Sequence, residues 1–187
     1  MKFSQILIAS LFAVSSVLAL PEGENVQRDV DIEARQGRCP NRRRAVAWLR
    51  SYNPRVVDHF YTTNRGEFQN AVKNLGYNNE GTAAFIFSSR QRGTVPFFRS
   101  YSSSGTDHFY TTSRSENQNA VSNLGYTAEG ITGWIFPDRR CGAVPLYRLY
   151  NPTGIDHFYT TSVSERNTAS QNGYTREGIA GYVYPNR

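Results

Sequence analysis

Apolar and polar positions along residues 45–187 pass through one succession of periods three times. Each pass opens on a short apolar and aromatic run, at residues 46–52, 95–101 and 144–150, whose aromatic and β-branched content predicts a strand. Asn53-Pro54, residues 102–105, and Asn151-Pro152 with Gly154 then mark loops. The hexapeptide Asp-His-Phe-Tyr-Thr-Thr follows at residues 58–63, 107–112 and 156–161, and reads as a second strand, the hairpin partner of the first. The period next lengthens. Phe68, Ala71, Val72 and Leu75 recur at helical spacing, as do Ala120, Val121 and Leu124. Asn64-x-x-Glu67, Ser113-x-x-Glu116 and Ser162-x-x-Glu165 resemble capping boxes, and Gly76, Gly125 and Gly173 stand where a left-handed cap stops a helix. The third copy is one residue shorter here and its helix is poorly amphipathic. After Tyr77, Tyr126 and Tyr174, and the Glu-Gly pairs at 80–81, 129–130 and 177–178, an alternating run predicts a last strand.

Three units, about 45–90, 94–139 and 143–187, are therefore expected, each strand-strand-helix-strand. Fewer than 50 residues rarely bury an adequate core alone. The expected fold is one β-rich α+β domain, trefoil-like or propeller-like, whose three modules close around a pseudo-threefold axis.

The N-terminus has a different character. Lys2, an apolar run over residues 6–18 and the small-residue pattern ending at Ala19 predict a cleaved secretory signal over 1–19, hence a secreted, extracellular protein without a membrane span. Residues 20–35 carry five acids and no aromatic residue, the composition of a disordered pro-segment. In an oxidising compartment Cys39 and Cys141, the two cysteines of the chain, form the one available intramolecular disulfide. The formal charge is +6 for the whole chain. Removing residues 1–35, with three bases and five acids, leaves +8, a charge that attracts acidic polymers.

The pattern Tyr-Arg-x-Tyr-Asn-Pro, Asp-His-Phe-Tyr-Thr-Thr and Gly-Tyr-x-x-Glu-Gly-Ile-Ala-Gly-Tyr-Val-Tyr-Pro, fullest in residues 145–185, resembles an uncharacterised repeat family of secreted fungal and bacterial proteins. Its modules are sometimes appended to extracellular hydrolases. The resemblance implies the architecture and the secretion, and assigns no activity or site residues.

Strand alternation puts His59, Tyr61 and Thr63 on one face and Asp58, Phe60 and Thr62 on the other. With Phe60 in the core, the first face offers flat aromatic plates edged by donors and acceptors, which suits a sugar ring. The candidate ligand-binding residues are therefore His59, Tyr61, His108, Tyr110, His157 and Tyr159, with Arg50, Arg99 and Arg148 nearby. The opposite reading turns His59 and Tyr61 inward as junction residues between modules. Glu67, Glu116 and Glu165 are assigned to helix capping, and Glu80, Glu129 and Glu177 to bridges with the three arginines inside each module.

Catalysis is disfavoured. Asp58 and His59 are neighbours facing apart, so the acid cannot orient the imidazole as a Ser/His/Asp group requires. The recurring carboxylates Asp58, Glu67 and Glu80 have structural roles to fill before glycosidase chemistry. No cofactor is implied; a three-histidine zinc site is an open alternative. Nucleic acid is disfavoured by secretion despite the basic runs Arg42-Arg43-Arg44 and Arg139-Arg140. The sequence thus reads as a non-catalytic multivalent module for extracellular or cell-wall glycan, with a protein-interaction scaffold (a secreted effector or hydrolase inhibitor) as the alternative.

Overall fold

In the computed structural model, residues 39–185 are described, so the signal and pro-segment assignments lie outside the described residues. A short 3-10 turn at Arg42–Arg44 leads into nine strands and three α-helices. The first unit is β1 (Ala45–Asn53), β2 (Asp58–Thr62), α1 (Arg65–Asn74) and β3 (Asn78–Phe87). The second is β4 (Val95–Ser102), β5 (Asp107–Thr111), α2 (Arg114–Asn123) and β6 (Thr127–Ile135). The third is β7 (Val144–Asn151), β8 (Asp156–Thr160), α3 (Val163–Gln171) and β9 (Thr175–Val183). This is the expected β-rich composition and the expected element order. The third helix forms despite its weak apolar face, because Ser162 still caps it by accepting from the Glu165 amide.

Within each unit the first strand is central, flanked antiparallel by the hexapeptide strand and by the last strand. The hairpin register pairs Tyr52 with His59, Tyr101 with His108 and Tyr150 with His157. The first two units join through β3 and β6 into one six-stranded sheet, ordered β2-β1-β3-β6-β4-β5, and the third contributes the three-stranded sheet β8-β7-β9. The last strands touch one another at their C-terminal ends, through Phe87 with Trp134, Phe136 with Tyr182 and Phe85 with Tyr184. The helices stop at glycines with positive φ, +80° at Gly76, +77° at Gly125 and +90° at Gly173, a region that costs a residue with a Cβ.

The core is common to all three units. Trp48, Phe97 and Leu146 pack with Ile86, Ile135 and Val183 and with the three hexapeptide tyrosines. Beyond them lies a second buried layer of Phe87, Phe136 and Tyr184, whose rings meet edge to face. Here the structure overturns one expectation. Tyr61, Tyr110 and Tyr159 are 0% exposed and are central core residues, not plates for a ligand. Each tyrosine donates its hydroxyl to the backbone carbonyl of the equivalent tyrosine in another copy and accepts from the backbone amide of that same residue. Tyr110 donates to the Tyr61 carbonyl (2.7 Å) and accepts from the Tyr61 amide (2.9 Å). Tyr159 does the same to Tyr110, and Tyr61 to Tyr159, which closes a cycle of six hydrogen bonds. The physical reason is that a buried phenol must satisfy its hydroxyl, and the edge of a neighbouring hexapeptide strand supplies both partners. Phe60 lies on the other face, beneath α1 with Ala71 and Tyr77. Both faces of the hexapeptide strand are therefore covered.

Cys39 and Cys141 are joined, as expected, with their Cα atoms 5.4 Å apart. Among the described residues no helix is long and apolar enough to cross a membrane.

Candidate functional site

Asp58, Asp107 and Asp156 open the three hexapeptide strands and are fully buried. A carboxylate survives burial only with donors around it, and each has three. Asp58 accepts from the His108 backbone amide (3.0 Å), His108 Nδ1 (2.8 Å) and the Tyr77 hydroxyl (2.5 Å). Asp107 is held in the same way by His157 and Tyr126, and Asp156 by His59 and Tyr174. Burial and the adjacent carboxylate push the Tyr77, Tyr126 and Tyr174 hydroxyls above the ordinary phenol value, so these tyrosines remain donors. The nearest carboxylate oxygens of the three aspartates lie within 4.8 Å of one another. It is thus the acids, one from each copy, that form the close group among the described residues.

Each aspartate consequently orients the imidazole of a different copy. Adjacent residues on a strand do face apart, but a pairing 50 or 97 residues distant in sequence restores the geometry that adjacency forbids. With Nδ1–H donated to the carboxylate, the Nε2 edge of each ring is turned away from it. The histidine side chains are only 11–12% exposed. His59 Nε2 lies 3.9 Å from a Glu80 oxygen and His157 Nε2 lies 3.6 Å from a Glu177 oxygen.

Arg50, Arg99 and Arg148 cross the same junctions. Arg99 donates from both terminal nitrogens to Glu67 (3.0 and 2.8 Å), Arg148 to Glu116 and Arg50 to Glu165. Their Nε atoms approach Glu129, Glu177 and Glu80 of their own units at 2.8–2.9 Å. The angle there is too poor for a hydrogen bond, so this is a charge contact only. Burial works against the guanidinium charge, but the glutamate hydrogen bond and the surrounding negative groups together outweigh it and hold all three arginines firmly charged. Each guanidinium also lies over a phenylalanine of the neighbouring copy: Arg99 over Phe60, Arg148 over Phe109 and Arg50 over Phe158, 5.3–5.4 Å from the centroids.

This corrects the capping assignment of Glu67, Glu116 and Glu165. The N-cap half of the box forms: Asn64 and Ser113 accept from the amides of Glu67 and Glu116, as Ser162 does from Glu165. The glutamate carboxylates do not reach back. They accept instead from Thr62, Thr111 and Thr160 and from the next copy's arginine. The backbone amides of Asn64, Ser113 and Ser162 turn to those threonine hydroxyls.

Burial raises the affinity of these three carboxyls for a proton, yet the arginine and threonine hydrogen bonds prevail and hold each below the ordinary glutamate value of 4.5. A carboxyl whose folded value is depressed binds fewer protons in the folded than in the unfolded state. It therefore stabilises the fold above its unfolded value, and that contribution disappears as pH falls through the folded value. Urea midpoints are expected to be flat above about pH 6 and to fall steadily below about 4.5. Replacing Arg50, Arg99 and Arg148 with methionine should flatten that decline. A midpoint rising on acidification would contradict the junction pairs.

At each junction these groups frame a recess. Between the first and second units it is about 240 Å³, lined by Phe60, Glu67, Asn70, Ala71, Leu75 and Tyr77 on one side and by His108 and Glu129 on the other. Between the second and third it is about 190 Å³, with Phe109, Asn119, Leu124 and Tyr126 facing Arg148, His157 and Glu177. Between the third and first it is about 210 Å³, and Thr168 and Asn172 stand where the others have asparagine and leucine. At roughly 30 Å³ per water each holds about seven waters, a volume on the order of one small ring. All three share a phenylalanine and an alanine as floor, with an imidazole edge, a helix glutamate and an amide or hydroxyl as rim; the first two add a second glutamate, Glu129 or Glu177.

Of the residues expected from sequence, the structure brings the three histidines to these recesses, places Arg148 in the lining of one, and removes the tyrosines to the core. The helix-face residues Asn70, Asn119 and Thr168 were not anticipated. Their only sequence signal is a polar position three residues after each of Glu67, Glu116 and Glu165.

A family profile described as a domain of unknown function, DUF5648, matches residues 47–184. No curated protein and no solved structure matches the chain.

Proposed function

The chain belongs to the DUF5648 domain family, a domain of unknown function, and we propose that it is a secreted, non-catalytic glycan-binding module whose three copies close around a pseudo-threefold axis. The observation that carries this reading is the recurrence of one recess at all three junctions, with an aromatic floor and a rim of fixed donors and acceptors. Carboxylates and amides meet sugar hydroxyls, and an apolar floor meets the apolar face of the ring. The closed cycle of tyrosine bonds and the mutual contacts of the three last strands support the pseudo-threefold arrangement. The aspartate-oriented imidazoles resemble part of a catalytic group, but among the described residues no serine, threonine or cysteine hydroxyl or thiol bonds to any of them, and the lining glutamates are held in arginine pairs. Binding is the function this arrangement suits.

One recess of this size gives weak affinity, of the order of millimolar, about −4 kcal/mol. Three recesses engaged by one polymer could raise avidity by about 10²–10⁴ if the polymer spans them. The histidines hold the junctions together, so the informative variant alters the rim instead. Asn70→Ala, Asn119→Ala and Thr168→Ala together should reduce retention on insoluble cell-wall polysaccharide at least tenfold while leaving the thermal midpoint within about 2 °C. Absence of any glycan retention by the wild type, or retention that the triple variant preserves, rejects the proposal. Stoichiometric co-purification of a protein partner without any sugar response would favour the interaction scaffold.

A further inference from the structure

We infer that the end of the domain opposite the aspartates is a second, separate binding surface, built for acidic polysaccharide. Strand register defines that end. Ala45 pairs with Phe87, Val95 with Ile135, and Val144 with Val183, so the starts of β1, β4 and β7 and the finishes of β3, β6 and β9 lie together. Everything that connects those strand ends is therefore gathered there: the 3-10 turn at Arg42–Arg44, the link 88–94 and the link 137–143. These three segments are far apart in sequence and hold Arg42, Arg43, Arg44, Arg90, Arg92, Arg139 and Arg140, against the single acid Asp138.

Their proximity is direct. A Cβ on Gly93 would come within 3.1 Å of Arg140 Nη1, so the two links are in contact. Arg42 lies over the Tyr184 ring, 4.8 Å from its centroid. The disulfide pins the segment bearing Arg42–Arg44 to the link bearing Arg139 and Arg140. Each segment ends in the same backbone turn, Arg44 to Asn41, Thr94 to Gln91 and Ala143 to Arg140. All but Arg42 are exposed. Arg140 pairs with Asp138, whereas Arg44, Arg90, Arg92 and Arg139 make no side-chain hydrogen bond or ion pair with any described residue.

Concentrating this much positive charge on one small face carries a repulsive cost that a bound polyanion relieves. Guanidinium groups match carboxylate, sulfate and phosphate esters in a two-pronged geometry. Single-stranded nucleic acid would need aromatic plates among the arginines. The aromatic residues of this end are committed to packing, with Phe87, Phe136 and Tyr184 buried and Phe85, Trp134 and Tyr182 packed against them. A polymer read by its charge is the partner this face fits. The surface shares no residue with the three recesses, so the inference stands independently of the proposed sugar sites.

The test compares two variants with equal loss of charge in the full mature chain. One carries Arg44→Ser, Arg90→Ser, Arg92→Ser and Arg139→Ser; the other carries Arg55→Ser, Arg65→Ser, Lys73→Ser and Arg114→Ser. The probes are heparin, polygalacturonate and a single-stranded DNA of matched charge, titrated from 50 to 300 mM salt. The first variant should lose at least tenfold in affinity for heparin and polygalacturonate, with a log–log salt slope shallower by about 3–4, each of the four lost contacts contributing about 0.7–0.9. The second should lose less than threefold. Equal losses would reduce the effect to net charge and overturn the inference, as would tighter binding of the DNA than of either polysaccharide. Hydrogen exchange on the wild-type heparin complex gives a check independent of the variants. Protection of residues 42–45, 88–94 and 137–143 supports the surface, and protection elsewhere refutes it.

Discussion

Asp107→Ala is expected to cost about 3–5 kcal/mol, a large part of the roughly 5–15 kcal/mol that holds a domain of this kind folded. The carboxylate is fully buried and accepts from the His157 amide at 2.8 Å, His157 Nδ1 at 2.6 Å and the Tyr126 hydroxyl at 2.5 Å. Alanine leaves all three donors without their acceptor at a fully buried position. An unsatisfied buried donor alone costs about 1–3 kcal/mol. The loss is not confined to one unit, because His157 belongs to the third copy and Asp107 to the second. Asp58→Ala and Asp156→Ala should behave alike, since their donor sets are the same. Urea midpoints at neutral pH measure the effect, and a double-mutant cycle with Tyr126→Phe should show coupling above about 0.5 kcal/mol. A loss below 1 kcal/mol would mean that the aspartate is not the keystone of the junction.

Breaking the disulfide is expected to have a comparable effect. Cys39 and Cys141 are 102 residues apart, and closing a loop of about 100 residues restricts the unfolded chain by about 4–5 kcal/mol in the chain-entropy account. The loop encloses the whole of the first two units, and the bond fastens the segment that enters β1 to the link that enters β7. Cys39→Ser with Cys141→Ser should lower the urea midpoint sharply without altering the cooperativity of the transition. Reductant should move the wild type to the same midpoint. An unchanged midpoint under reduction would show that the three junctions alone close the domain.

The two losses have different origins and should combine almost additively. The disulfide acts mainly on the unfolded chain and the aspartate on the folded one.

Much of this architecture was legible in the residues themselves. The change from strand to helix period, the caps Asn64, Ser113 and Ser162, and the stops Gly76, Gly125 and Gly173 gave the twelve principal elements in order. The cysteine count gave the disulfide. These are local or combinatorial properties, and local physics decides them. Alternation likewise separated Phe60 from His59 and Tyr61, because neighbouring strand residues always point opposite ways.

Alternation could not say which face would meet the core. The face expected outside became the inside, because a tyrosine ring with both hydroxyl bonds satisfied by neighbouring strand edges fills a shared interior better than solvent repays its exposure. Nor could adjacency reveal that Asp156 serves His59, or that Glu67 serves Arg99 rather than its own helix. Those partners lie in another copy, 97 and 32 residues away along the chain. Sequence determined what each unit is. Assembly alone decided what the units do for one another, because a buried carboxylate takes the donors that packing brings to it, however far along the chain they lie.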